Sequence, residues 1–143
     1  MALFEKILVP VDFGGPSTHA LDMAVELAKL NGASLALVHV WEIPSYGYGA
    51  ALPASVLTHL ETEARGQLDA LVAGVKERVP DLKVKAYLEC GSPWREVLRV
   101  IGETKPALVV MGTHGRRGLG HALIGSVAEK LVRMSPAPVL TVR

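Results

Sequence analysis

Five short apolar runs alternate along the chain with segments in which apolar residues recur every three or four positions. The runs are rich in Val, Leu and Ile, and such continuous stretches are typical of strands buried on both faces of a sheet. The third run, LKVKAYL, instead alternates apolar and polar residues, which predicts an edge strand with one solvated side. The predicted strands are residues 6–11, 34–40, 82–88, 107–111 and 138–143.

The amphipathic segments between the runs carry helix boundary signals. Ser17 or Thr18 can cap the first helix. Asn31-Gly32 can end that helix, because both residues accept a left-handed conformation. Alternating strands and helices imply a parallel sheet with right-handed crossovers and helices on both faces. The sequence therefore predicts one α/β domain over residues 1–143, with a ligand crevice beyond the carboxyl ends of the strands.

Composition narrows the class of function. A net charge of +1 and the lack of a long basic stretch speak against a nucleic-acid surface, and no apolar run is long enough to span a bilayer. The single cysteine, Cys90, excludes an internal disulfide and a cysteine-rich metal site. No pair among the five histidines has metal-ligand spacing with a carboxylate. The N-terminal residues lack signal-peptide features, so we expect a cytoplasmic protein.

A glycine-rich stretch, GTHGRRGLGHALIGS, follows the fourth predicted strand at residues 112–126. Glycines in such a place cost conformational entropy and are kept where a ligand or another backbone comes close. A phosphate is the favoured ligand, because backbone amides and helix N-termini attract anions. The patterns GxxxxGK[ST] and GxGxxG fail, since His121 and Leu123 stand at required positions. Ser126 and Glu129 have the S-x-x-E spacing of a capping box.

The spacing Gly112-x2-Gly115-x9-Gly125-Ser126 matches the pattern G-x2-G-x9-G-[ST]. In this motif the chain resembles the ATP-binding subgroup of the universal stress proteins. The segments KILVPVD, LVHV, ECGSPW, LVVMGTHGRRG, IGSVAEKLVR and PAPVLTVR are similar to that family's segments and follow its order. The resemblance covers the whole chain. It implies an adenine nucleotide alpha hydrolase-like fold, with a five-stranded parallel sheet in the order 3-2-1-4-5.

The resemblance also implies an ATP site, with or without Mg²⁺ or Mn²⁺. Asp12 would contact the ribose or the adenine edge or position a metal, or else cap the next helix. Met111 would pack on the base or sugar, or serve as a core methionine. Arg116 would neutralise phosphate charge, or lie exposed in the loop. The predicted nucleotide-binding residues are Pro10, Val11, Asp12, Val40, Met111, Gly112, His114, Gly115, Arg116, Gly125, Ser126 and Val127.

The sequence offers few residues that could catalyse phosphoryl transfer. Phosphoryl transfer needs charge neutralisation and usually a metal held by carboxylates and hydroxyls, yet the loop has no phosphate-binding lysine and Asp12 has no evident second carboxylate. We therefore assign no catalytic residue and expect an ATP-binding stress-response protein, a switch or binding module with slow hydrolysis or none. A hydrolase or nucleotidyltransferase on the same fold is the alternative, and a ligand-free structural protein is a third.

The last strand, from Pro138 to Arg143, bears on assembly. It reads PVLTV with no following helix to cover it, and an unpaired apolar edge favours pairing with another chain. A two-fold antiparallel strand pair is the simplest closed arrangement, and the family similarly dimerises through its last strand. We expect a homodimer that binds ATP, with an unidentified protein as a further partner and neither nucleic acid nor membrane.

Overall fold

A computed structural model describes residues 3–44, 51–114 and 124–143. Strands and helices alternate through these ranges. The strands are β1 (Lys6–Pro10), β2 (Ser34–Trp41), β3 (Val84–Cys90), β4 (Leu108–Gly112) and β5 (Val139–Val142). The helices are α1 (Gly15–Asn31), α2 (Ala54–Arg78), α3 (Pro93–Thr104) and α4 (Ser126–Met134).

The strands form a parallel sheet in the order β3-β2-β1-β4-β5, which confirms the predicted fold class and strand order. β1 lies at the centre, with Leu8 opposite Ala36 of β2 on one side and Val109 of β4 on the other. From β1 the chain adds β2 and β3 on one side of the sheet, and then β4 and β5 on the other side. A crevice therefore forms beyond the carboxyl ends of β1 and β4, at the point where strand order reverses.

Two apolar layers bury the two faces of the sheet. Ile7 and Val9 of β1 point into the layer covered by α1 and α2, whereas Leu8 points into the layer covered by α3 and α4. All three side chains are completely buried. Because both faces of the central strands are covered, these strands read as continuous apolar runs rather than as alternating patterns.

β3 lies at the sheet edge, as its alternating pattern predicts, but it starts and ends two residues later than expected. Leu82 belongs to a turn instead, because its amide donates to the Val79 carbonyl at 3.1 Å. At the other end, pairing with β2 continues until Cys90 lies opposite Trp41. Long-range pairing with a neighbouring strand thus decides both ends of β3.

The start of α1 differs from the sequence-based expectation, and its end agrees with it. The N-cap is Gly14, so neither Ser17 nor Thr18 caps the helix. Gly32 ends the helix with a left-handed φ of 64°, as predicted. Within the described part of the chain, no helix combines the length and the apolar character needed to cross a membrane.

Candidate functional site

A cleft of about 760 Å³ opens beyond the carboxyl ends of β1, β2 and β4, with walls from α2, α3 and α4. Its volume lies within the range of small-molecule sites, roughly 300–1,000 Å³. Its position at the reversal of strand order is the one that open α/β sheets use for ligands. The cleft is therefore the candidate site.

The structure brings ten of the predicted site residues to this cleft. Two others, Gly115 and Arg116, lie outside the described residues. Contact of any of them with a nucleotide stays a prediction. The ten cleft-lining residues are Pro10, Val11, Asp12, Val40, Met111, Gly112, His114, Gly125, Ser126 and Val127.

Asp12 sits in a tight turn directly after β1. Its Oδ1 accepts the Gly14 amide at 2.9 Å, and its own amide donates to the buried Ser17 hydroxyl at 3.1 Å. Asp12 was expected, as its alternative role, to cap the next helix, but the N-cap of α1 is Gly14 and no side-chain cap hydrogen bond is made there; the carboxylate instead closes a local turn with the Gly14 amide. Asp12 also lines the cleft, so the turn fixes the carboxylate at the mouth of the site.

An aromatic pair supports this turn from the side of β2. Phe13 has a φ of 66°, which is uncommon for a bulky residue. Its ring packs on His39 with 4.2 Å between the ring centroids. His39 Nδ1 lies 2.7 Å from the Val11 carbonyl oxygen, and because a carbonyl only accepts, this nitrogen carries the proton. His39 is thus a hydrogen-bonded strand residue that also borders the cleft.

The start of α4 is tied to the end of β4. The Gly125 amide donates to the Thr113 carbonyl at 2.6 Å, and the Thr113 amide donates to Val142 of β5 at 2.9 Å. Gly125 is the N-cap, and as a glycine it has no side chain with which to cap the first turn. The predicted capping box is therefore wrong, because Ser126 is already the first helical residue. The first backbone amides of α4 lie where Gly125 and Ser126 line the cleft.

Gly112 has a packing reason for being glycine. A Cβ atom at this position would lie 2.8 Å from the carbonyl carbon and 2.9 Å from the Cβ of Pro16 in the first turn of α1. Real Cβ atoms essentially never come so close to other atoms. Of the two explanations for a glycine at this place, the approach of another backbone is the one that the contacts of Gly112 demonstrate.

His114 presents a buried polar atom to the cleft. Its Nδ1 lies 2.9 Å from the Thr113 hydroxyl. Its Nε2 is buried, with no hydrogen-bond partner among the residues that the structure describes. An unsatisfied buried nitrogen is unfavourable. A ligand oxygen beside Nε2 would remove that penalty.

Some residues that line the cleft were not predicted from the sequence. Trp41 follows the second apolar run directly, and its place at a strand's carboxyl end was a usable signal. Glu63 and Gln67 line the cleft from α2, which reads in the sequence as an ordinary amphipathic helix, so no local pattern marked them. Among the described residues, no three His, Cys, Asp or Glu side chains come close enough to hold a metal ion by themselves.

The sheet order and the position of the cleft define an open-sheet α/β protein with a candidate ligand site at its switch point. The sequence then specifies the family, because the model of the "Universal stress protein family" matches residues 3–143. The chain belongs to the universal stress protein family.

The chain is similar to several proteins of nearly the same length. The Bacillus subtilis protein "Universal stress protein YxiE" is 33% identical, with 99% of this chain and all of that protein covered. The solved structure of the universal stress protein UspA from Lactobacillus plantarum has a TM-score of 0.82 at 25% identity and covers 97% of each chain. A universal stress protein from Archaeoglobus fulgidus, solved in complex with dAMP, has a TM-score of 0.69 at 21% identity and covers 99% of each chain.

Proposed function

We propose that this chain is a single-domain, ATP-binding stress-response protein of the cytoplasm. It would act as a nucleotide-dependent switch or binding module, with slow ATP hydrolysis or none. The observation that carries the proposal is the β4–α4 junction, where the start of α4 and a buried His114 Nε2 border one cleft, the latter without a hydrogen-bond partner among the described residues. Helix N-termini with free amides favour phosphate groups.

The two ends of the cleft suit the two ends of a nucleotide. Val11, Val40 and Met111 provide apolar surface at the strand ends, where a base and sugar can pack. Asp12, fixed by its turn, offers a carboxylate to ribose hydroxyls. Gly125 and Ser126 lie at the helix start, which suits phosphates. The Archaeoglobus protein shares this fold at 21% identity and was solved in complex with dAMP. Its complex shows that the fold can hold a nucleotide, and it says nothing about individual residues of this chain.

The distribution of acidic groups supports slow hydrolysis. The carboxylates that line the cleft are Asp12, Glu42 and Glu63, from the ends of β1 and β2 and from α2. In the described part of the β4–α4 junction, no carboxylate lines the cleft. A water molecule attacking the terminal phosphate there would lack a carboxylate base. For Asp12, whose Oδ1 already accepts the Gly14 amide, a Mg²⁺ or Mn²⁺ ion carried by the phosphates would be the alternative to the ribose hydroxyls.

Titration calorimetry with ATP tests the binding proposal. The double substitution Gly125→Val with Ser126→Ala should abolish ATP binding, because it adds bulk at the helix start and removes a hydroxyl from the cleft. Ser55→Ala, an exposed change in the first turn of α2, is the matched control and should leave the affinity unchanged. Circular dichroism checks that each variant folds. Wild-type affinity in the folded double variant would sink the proposal.

A turnover assay with Mg²⁺ or Mn²⁺ separates a binding module from the alternative, an ATP hydrolase or nucleotidyltransferase. Release of phosphate over hours, with less than one turnover per minute, is expected for the module. Several turnovers per minute would favour the enzyme. Nucleotide recovered from the heat-denatured purified protein would speak against a ligand-free structural role.

We further propose a homodimer formed through β5. This strand ends the sheet order, so its outer edge has no partner strand within the described chain. Apolar side chains around it are well exposed, with Leu140 at 39%, Met23 of α1 at 45% and Val132 of α4 at 54%. Light scattering should give a dimer mass for the wild type and a monomer mass for Leu140→Pro. A monomeric wild type would refute the dimer.

A further inference from the structure

Two cations share one indole ring between α3 and α4. Lys130 Nζ lies 4.6 Å from the ring centroid of Trp94, and Arg95 Cζ lies 5.0 Å from it. A ring attracts a cation through its quadrupole, but two like charges beside the same ring repel each other. The arrangement therefore holds positive charge at this corner without neutralising it.

The carboxylates near this corner are engaged elsewhere. Arg99, one turn further along α3 than Arg95, binds three of them at 2.7–2.9 Å. These partners of Arg99 are Glu89, Glu96 and Glu103. They compensate the charge of Arg99, so they are not available to Arg95.

Lys130 is also left without a counter-charge by its own helix. Its neighbour Glu129 pairs with Arg133. Across residues 3–44, 51–114 and 124–143, neither Lys130 nor Arg95 takes part in an ion pair, whereas Arg78 and Arg133 both do. Two uncompensated cations on one ring form a site that attracts an anion.

The corner adjoins the proposed phosphate end of the cleft. Lys130 follows Ser126 by one helical turn, and helical side chains lean towards the helix N-terminus. The lysine therefore reaches back towards the start of α4, where Ser126 lines the cleft. Trp94 follows Pro93, which lines the cleft from α3. The indole thus holds the ammonium group between α3 and α4, on side chains that do not themselves line the cleft but follow residues that do.

We propose that Lys130, supported by Arg95, recognises the terminal phosphates of the bound nucleotide and selects a triphosphate over a monophosphate. This inference rests on the nucleotide site proposed above. A phosphate oxygen carries full negative charge and forms charge-assisted hydrogen bonds with an ammonium group, so it competes effectively with the quadrupole of an indole. AMP ends at the α4 start and does not reach Lys130. ATP extends further and draws the ammonium group from Trp94.

Calorimetric titration with ATP and with AMP tests this selection in the wild type, Lys130→Gln and Lys76→Gln. Lys76 is an exposed cation near the C-terminal end of α2, outside the cleft lining, and makes the matched control for net charge. Lys130→Gln should weaken ATP binding roughly tenfold, the equivalent of one charge-assisted hydrogen bond at a half-exposed site. AMP binding should change less than about twofold. Lys76→Gln should leave the ratio of the two affinities at the wild-type value.

Tryptophan fluorescence distinguishes phosphate recognition by Lys130 from a purely structural role of this residue, because only recognition makes the emission of Trp94 depend on the nucleotide. The chain has two tryptophans, so Trp41→Phe leaves Trp94 as the only indole; because Trp41 lines the cleft, the emission is read at ATP concentrations that calorimetry shows to saturate this background. In this background, ATP should change the Trp94 emission and AMP should not, and the ATP response should disappear when Lys130→Gln is added.

The outcomes separate the two proposals. Suppose that the wild type binds ATP, and that Lys130→Gln either weakens the binding of ATP and AMP equally or weakens the binding of neither. The selection role is then overturned and the nucleotide site stands. If the folded wild type binds neither nucleotide, the site and the selection role both fall.

Discussion

Replacing Gly112 by alanine tests the close packing of β4 against α1. The new methyl group would lie 2.8 Å from the Pro16 carbonyl carbon and 3.0 Å from the Pro16 carbonyl oxygen. Both atoms belong to the backbone of the first turn of α1, and the proline ring beside them cannot rotate away. The methyl group can therefore be accommodated only if α1 and the end of β4 move apart.

Overpacking of this kind typically costs about 1–3 kcal/mol, and a rigid backbone neighbour argues for the upper half of that range. For a chain of 143 residues, each kcal/mol lost lowers Tm by about 3 °C. Gly112→Ala should therefore lower the free energy of unfolding by about 2–3 kcal/mol and Tm by roughly 6–9 °C.

Urea unfolding followed by circular dichroism measures this difference. Gly74→Ala is the matched control, because the same methyl group added in the interior of α2 meets no atom within 4 Å. In a helix interior alanine is favoured over glycine by up to about 1 kcal/mol, so this variant should be more stable than the wild type. A Gly112→Ala protein as stable as the wild type would refute the packing argument.

Other substitutions probe the turn, the core and the free thiol. Ser17→Ala leaves a backbone amide without its acceptor and should cost about 1–3 kcal/mol in urea unfolding; an unchanged midpoint contradicts this. Leu131→Ala in the fully buried core should cost about 2–5 kcal/mol, while Val132→Ala, 54% exposed, should cost far less. Burial, and then the charge of Glu61, raises the pKa of Cys90, so alkylation by iodoacetamide should rise at higher pH than in urea-unfolded protein, and an equal or lower midpoint would overturn this.

The strands could be predicted from the sequence because their signals are strong and local, whereas their full order came from the resemblance to the family. β1 and β4 read as continuous apolar runs since both of their faces are buried. Once strands and helices alternate, right-handed crossovers leave few topologies. The central place of β1 then puts Asp12 and Gly112 at one crevice, and the structure places both there.

Helix starts could not be predicted as well, because distant contacts decide them. Ser126 has the local features of an N-cap, yet the helix begins one residue earlier than a Ser126 cap would allow. The Gly125 amide donates a hydrogen bond to the carbonyl of Thr113, directly after β4. This bond fixes the N-cap of α4 at Gly125. Ser17 likewise has a capping side chain, but it is buried and accepts the Asp12 amide instead.

Cleft residues that do not lie at the ends of strands have no recognisable pattern in the sequence. Glu63 and Gln67 reach the cleft only because α2 packs across the end of β2. Neither residue follows a strand or belongs to a motif. Their contribution depends on the position of a whole helix, which a pattern of apolar residues does not specify.

The central position of β1 also sets the order in which the molecule can be made. Ile7 pairs with Leu108, so β1 gains its second neighbouring strand only after α1, β2, α2, β3 and α3 have been made. During that interval one edge of β1 is bare, and unpaired edges of slowly completed parallel sheets are prone to aggregation. The cleft, whose walls include Asp12 and Ser126, has all of its described walls only once the start of α4 has been made. A chain without α4 therefore has an incomplete candidate site.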